Sequence, residues 1–364
     1  PWLGQPSGDD LPPRGSRVSS GTAGRLLRCG VIGVGRMGRH HARLCATMDG
    51  LELVGIVDAS EARRADMKEQ YGCGGFEALD DLVAAGVDAV VVATPTVTHR
   101  EIVERLLAAG IHCLVEKPLA PDETQARAMA EAARRSAAIL QVGHVVRFDP
   151  VMVAIRQLEG LTPRFVEVDR VSPMTFRSVD VGVVLDMMIH DLDVLIMLMG
   201  AEPEEIHANA VSVLGEAEDV CNARLVFPPG KDGIRCTANV TASRLALKTE
   251  RKIRIISEDT YVSADFGDRK GTVVRKAVNA EQLRTIRSRF EAGEDLSGLN
   301  YLELVKVDPL QVGAGEPLKL QLEDFAGAIR SGGRPLVDAE AGFAAVRTAE
   351  RIVQAAQRAG ARRV

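Results

Sequence analysis

The stretch Cys29-Gly-Val-Ile-Gly-Val-Gly-Arg-Met-Gly38, with an acidic residue, Asp58, twenty positions beyond it, decides how the first half of the chain folds. Leu26 to Ile32 is a short apolar, strand-like run. Met37, His41, Leu44, Cys45 and Met48 then recur on one face of an amphipathic helix. Between the two, Gly33, Gly35 and Gly38 form G-x-G-x-x-G. Gly33 suits a tight turn, Gly35 lets backbone N–H groups approach a pyrophosphate, and Gly38 lets helix and strand pack closely. The helix N-terminus adds partial positive charge for phosphates. Leu51 to Asp58 reads as a second strand closed by a carboxylate that can accept both ribose hydroxyls. A glycine-rich turn alone says little. Flanked by strand and helix, with Asp58 at this distance, it predicts a dinucleotide-binding unit.

At 364 residues the chain is long enough for about two domains. A net charge of −5 gives no reason to expect a nucleic-acid or anionic-membrane partner. No apolar run reaches the ~18 residues of a membrane-spanning helix. The six cysteines are scattered without a C-x-x-C pair, which favours small buried thiols in a reducing cytoplasm over disulfides or zinc. Residues 1–25, rich in Gly, Pro and Ser and lacking an apolar signal core, read as a disordered extension.

Strand and helix patterns alternate from Asp58 to Val142, through a strand at Val87 to Thr94 that is apolar on both faces. About six parallel strands result, and repeated strand–helix units argue for a doubly wound Rossmann sheet over residues 26–147. Ligands in such sheets sit beyond the carboxyl ends of the strands. Thr94-Pro95, Glu116-Lys117-Pro118 and Gly143-His144-Val-Val-Arg147-Phe148 all fall there. Lys117 suits a hydrogen bond to a substrate hydroxyl. The alternative is a solvated lysine paired with Glu116. His40 and His41 are adjacent on a helix, point to different faces and do not form a metal site.

From residue 148 to 364 the alternation stops. Strand-like runs at 164–171, 205–213, 222–227, 234–243, 251–257 and 260–266 predict an α+β domain with a mainly antiparallel sheet. Three helices are expected on one face: about 183–199, 318–329 with Leu318, Leu322, Phe325 and Ile329 on one stripe, and one capped by Asp338. Residues 270–315 show only a charged helix near 280–290. A sheet covered on one side leaves an apolar face, which implies a homodimer or homotetramer. Asp186 and His190 are i and i+4 in an otherwise apolar helix. Either they satisfy each other, or they form an acid/base pair in which Asp186 orients His190. Two ligands are too few for a metal site. Asp191 and Asp193 face away from His190, as surface or interface polarity, with a substrate contact the alternative for Asp193.

The set Gly33/Gly35/Gly38, Asp58, Ala93-Thr94-Pro95, His99, Glu116-Lys117-Pro118-Leu119 and Gly143-His144 with Arg147-Phe148 resembles the glucose–fructose oxidoreductase/inositol dehydrogenase (Gfo/Idh/MocA) family over residues 26–358. The resemblance implies a catalytic trio of Lys117, Asp186 and His190. The cofactor contacts it implies are Gly33, Val34, Gly35, Arg36, Met37, Gly38, Asp58, Thr94, Pro95, His99, Glu116 and Lys117. Substrate contacts would be Lys117, Arg147, Arg177, Asp186 and His190, with Arg147 or Arg177 facing a diphosphate; the alternative is that both arginines make structural ion pairs. Asp58 favours NAD over NADP, although Arg63 and Arg64 leave room for the latter. Many family members carry Gly where this chain has Met188. The implied activity is oxidation of a secondary alcohol of a sugar or UDP-sugar, and the stretches 143–150 and 177–193 resemble the branch acting on UDP-N-acetylglucosamine at C3. Inositol or another free sugar is the alternative substrate, and a non-catalytic NAD(H) sensor is the alternative of another class.

Overall fold

The structure, a computed structural model, describes residues 25–175, 181–214 and 216–361. The expected extension over 1–25 therefore lies outside the described residues except for Arg25, as does Arg177. Six strands form the first sheet: β1 (Leu27–Ile32), β2 (Leu51–Val57), β3 (Gly74–Phe76), β4 (Ala89–Val92), β5 (His112–Glu116) and β6 (Leu140–Gly143). They are all parallel in the order β3-β2-β1-β4-β5-β6. Helices α1 (Arg36–Thr47), α2 (Glu61–Tyr71), α3 (Leu79–Ala84), α4 (His99–Ala108) and α5 (Glu123–Arg135) make the crossovers. β4 is buried on both faces, which explains its unbroken valine run. The order turns at β1/β4, so a crevice opens at the carboxyl ends of those strands beside the glycine loop.

After α6 (Pro150–Arg156) the second sheet begins with β7 (Phe165–Val171). A wide π turn, Val184–Met188, then runs into α7 (Ile189–Met199). Strands β8 (Glu205–Val211), β9 (Val220–Val226), β10 (Thr237–Ser243), β11 (Glu250–Ile256), β12 (Thr260–Asp265), β13 (Lys270–Lys276) and β14 (Val305–Pro309) complete it. The order is β14-β13-β12-β11-β7-β10-β9-β8, antiparallel except for the β7/β10 pair. Residues 270–315 thus supply the edge strand β14 and its neighbour β13 besides the expected helix α8 (Ala280–Glu291) and the short α9 (Tyr301–Leu304).

Two expectations about packing are corrected. Helix α10 (Pro317–Ser331) does not lie on the second sheet: Leu318, Leu322, Phe325 and Ala326 pack with Ala42, Leu44, Val31 and Leu114 of the first. Leu322 and Phe325 are each 1% exposed, and burying such side chains stabilises by about 1.5–3 kcal/mol apiece. Helix α11 (Ala339–Arg358), N-capped by Asp338, bridges the two halves. Its Phe343 and Val346 join the core of the first sheet, and its Ile352 and Ala356 that of the second. The open face of the second sheet is polar, not apolar. It carries Asn222 bonded to Thr241, Arg224 to Asn239 and Arg254 to Glu167. No helix among the described residues is long and apolar enough to cross a membrane.

Candidate active site

The glycine loop is built as its spacing predicts. Gly33 has φ +82°, and a Cβ there would come within 2.7 Å of the Ala93 carbonyl oxygen. At Gly38 a Cβ would sit 1.8 Å from the Gly33 oxygen, so only glycine lets α1 start this close to β1. A Cβ at Gly35 would meet nothing within 4 Å, which leaves an open cradle over the first turn of α1. That turn has no side-chain cap and no acidic residue, so its free N–H groups and dipole remain available to an anion. Asp58, at the end of β2, accepts from the backbone N–H groups of Val34 and Ser60, both at 2.9 Å. Burial alone would raise its pKa. These two bonds and the nearby Arg63 charge outweigh burial and keep the carboxyl below its usual range. The residues present therefore fit a dinucleotide, with phosphates on the α1 turn and a ribose at Asp58.

Lys117 follows β5, and the Lys117–Pro118 peptide is cis. Its Nζ donates to the main-chain oxygen of Asp186 at 2.6 Å and to Oδ1 of the same residue at 3.2 Å. The expected Asp186–His190 hydrogen bond is absent, because the Asp186 carboxylate turns to the lysine. His190 Nδ1 is buried without a partner among the described residues, and Nε2 is the ring nitrogen left to meet the cavity. Burial, reinforced by the charges of Lys117 and Arg170, holds the His190 pKa well below its usual value, so the imidazole is neutral. His144 stacks edge-on against it with ring centroids 6.2 Å apart.

A cavity of about 410 Å³ brings Arg36 and Met37 of the glycine loop, Glu116, Lys117, Asp186 and His190 to one wall system. The rest of its lining includes Gly143, Val145, the β7 end with Ser172, Pro173 and Thr175, Met187, Arg244 and Arg251. A second cavity of about 560 Å³ adjoins it at Lys117 and Asp186 and is bounded by Thr96, Pro118, Gly182 and Glu218. The remote ammonium and imidazole thus line one cavity beside the glycine turn at the head of α1.

Other expected site residues take different places. Arg147 does not face ligand: it is 6% exposed, and its Nε and Nη2 donate to both oxygens of Asp193 at 2.7 and 2.6 Å. Asp193 and Asp191 are buried ion-pair partners rather than surface polarity, Asp191 being held the same way by Arg170. An apolar helix presses these carboxylates into the core, where only a guanidinium fork satisfies both oxygens. His99 is 1% exposed, too buried to touch a cofactor directly. Its Nε2 lies 3.0 Å from the Thr94 oxygen and its Nδ1 3.1 Å from that of Pro118, which ties the two rim loops together. His41 was missed as a site residue. Fully buried on α1, its Nε2 lies 2.7 Å from Glu116 Oε1. Burial would raise the Glu116 pKa, but His41 and the Lys117 charge outweigh it and hold the carboxyl below its usual range.

Residues 27–144 match the oxidoreductase family with an NAD-binding Rossmann fold, Gfo/Idh/MocA, and residues 175–361 match its C-terminal alpha/beta domain. The UDP-N-acetylglucosamine 3-dehydrogenase of Acidithiobacillus ferrooxidans is 38% identical over 66% of this chain and 74% of its own length. The inositol 2-dehydrogenase of Rhizobium meliloti is 30% identical over 52% of this chain and 60% of its own. A solved structure of the Acidithiobacillus enzyme superposes with a TM-score of 0.79 at 31% identity, covering 91% of this chain and 97% of that one. Levoglucosan dehydrogenase in complex with NADH and levoglucosan shares the fold at 18% identity, with a TM-score of 0.76 over 92% of this chain and 98% of its own. The chain belongs to the Gfo/Idh/MocA family of oxidoreductases.

Proposed function

We propose that this oxidoreductase is an NAD-dependent dehydrogenase that oxidises a secondary hydroxyl of a sugar nucleotide, UDP-N-acetylglucosamine at C3. The observation that carries the reading is the convergence of Lys117 and His190 on the cavity that also receives Arg36 and Met37 of the glycine loop. The similarity to a UDP-N-acetylglucosamine 3-dehydrogenase supplies the substrate.

When bound, NAD supplies the hydride acceptor for the hydrogen on the alcohol carbon. His190, neutral and with Nε2 facing the cavity, accepts the hydroxyl proton. Lys117 has three N–H donors and directs two at Asp186. The third is free to donate to the substrate oxygen and stabilise the negative charge developing on it. Asp186 positions that ammonium. The ionised Asp58 would repel a 2′-phosphate, which favours NAD over NADP. The buried, unpaired cysteines suit the cytoplasm. Homo-oligomerisation remains part of the proposal through the family resemblance, over a polar rather than an apolar sheet face.

The test is NADH formation, followed by near-ultraviolet absorbance, when the protein and NAD meet UDP-N-acetylglucosamine, free N-acetylglucosamine and myo-inositol in turn. Turnover of the UDP-sugar is expected. Turnover of inositol alone would transfer the assignment to the reaction named for the Rhizobium relative.

A further inference from the structure

We propose that Arg251 is the residue that binds the substrate's phosphate groups, which makes the natural substrate a phosphorylated, anionic sugar. The inference rests on the dehydrogenase reading above and assigns the anchor that Arg147 cannot provide.

Arg251 stands where strand alternation calls for a core residue. On β11 it shares a face with Ile253 and Ile255, which are 1% and 0% exposed. On the neighbouring β7 the same face carries Val166, Val168 and Arg170. The register sets Ile255 against Val166, Ile253 against Val168 and Arg251 directly against Arg170. Two aliphatic layers therefore give way, at the cavity, to a cross-strand pair of like charges, an arrangement that costs stability. Arg170 is neutralised by its two bonds to Asp191. The Arg251 side chain has no hydrogen bond or ion pair among the described residues and is exposed on the cavity wall.

The other charges around the cavity are accounted for. Glu116 is held by His41, Asp186 by Lys117, and Arg244 by Asp219. Arg36 and Arg251 are the cations left over among the described lining residues. Arg36 opens α1 on the glycine loop, where the family resemblance puts the dinucleotide's pyrophosphate. Arg251 stands on the other sheet; Asp191, taken up by Arg170, and Asp149 lie near it but form no ion pair with it, so its guanidinium is left open to a second anion carried by the substrate. A guanidinium fork matches phosphate oxygens two at a time, as a lysine does not.

The experiment is titration calorimetry of the NADH-saturated full-length protein with UDP, comparing the wild type with Arg251→Gln and Arg251→Lys. UDP affinity should fall about 10- to 100-fold in the glutamine variant and less in the lysine variant, with NADH affinity unchanged. The melting temperature of Arg251→Gln should stay near that of the wild type, since Arg251 makes no ion pair among the described residues and Arg170 keeps its bonds to Asp191. N-acetylglucosamine 1-phosphate, titrated in parallel, separates a monophosphate from a diphosphate requirement. UDP binding equally well to both proteins, or not to the wild type, would overturn the inference. If UDP-N-acetylglucosamine turns over but KM is unaltered in Arg251→Gln, this inference alone fails. If UDP binds through Arg251 and no UDP-sugar is oxidised, the dehydrogenase reading alone fails.

Discussion

The Nζ atom of Lys117 lies 2.6 Å from the main-chain oxygen of Asp186 and 3.2 Å from its carboxylate, across 69 residues of sequence. A contact from a β5 end to a π turn fastens the two halves of the molecule at the point where chemistry is expected. The π turn matters here. It adds a residue to the helical ladder, as such bulges do at functional sites, and so presents a main-chain carbonyl together with the side chain of the same residue.

Replacing Lys117 by alanine should lower kcat about 10²- to 10³-fold, the usual cost of losing a donor aimed at a developing oxyanion. NADH affinity, measured by fluorescence titration, should change little, because the phosphate cradle belongs to α1. Normal turnover by Lys117→Ala would remove the residue from the reaction.

The neutral state of His190 predicts the pH profile. With its pKa held well below 6.5, kcat/KM should be flat through neutrality and fall only on the acid side, along a limb that His190→Ala lacks. Stability follows the same sign. Well above pH 6.5 His99, His144 and His190 are neutral in both folded and unfolded chains and contribute no pH dependence. Below it the unfolded chain takes up protons that buried His99, His144 and His190 resist, so stability should drop as pH falls from 6.5 toward their lowered values. Melting temperatures recorded across that range check it, and a flat series would contradict the burial of these rings.

Arg147→Ala should act on stability and leave recognition intact. It strands the Asp193 carboxylate, which is 0% exposed, and breaking such a buried pair costs about 3–5 kcal/mol. Chemical denaturation should report that loss, while KM for the UDP-sugar stays near the wild-type value in the folded fraction. A raised KM with unchanged stability would return Arg147 to the substrate site.

The first sheet was readable because its signals are local. Glycine at fixed offsets, a doubly apolar strand and a terminal Asp58 each imply their own geometry within about 30 residues. Strands β7 to β12 were readable from alternation. β13 and β14 were not, since Lys270–Lys276 and Val305–Pro309 lie at one side of the sheet, are only partly buried and show little contrast between faces. The stripe on α10 showed that a face is buried and could not show against what. The direction of Arg147, likewise, depended on whether Asp193 reached it first.

Local order along the chain settles the glycine turn at the head of α1 and the acidic close of β2, because residue type and spacing dictate those features directly, whereas Lys117 and His190 stood out as a proposed reactive pair only through the family resemblance. Which carboxylate answers which cation was decided by packing. Asp186 turns to Lys117, Asp193 takes Arg147, Asp191 takes Arg170, and Arg251 is left facing the cavity among the described residues. The reason is physical. An ion pair forms according to the free energy of burying both partners at once, and that quantity exists only after distant elements have come together.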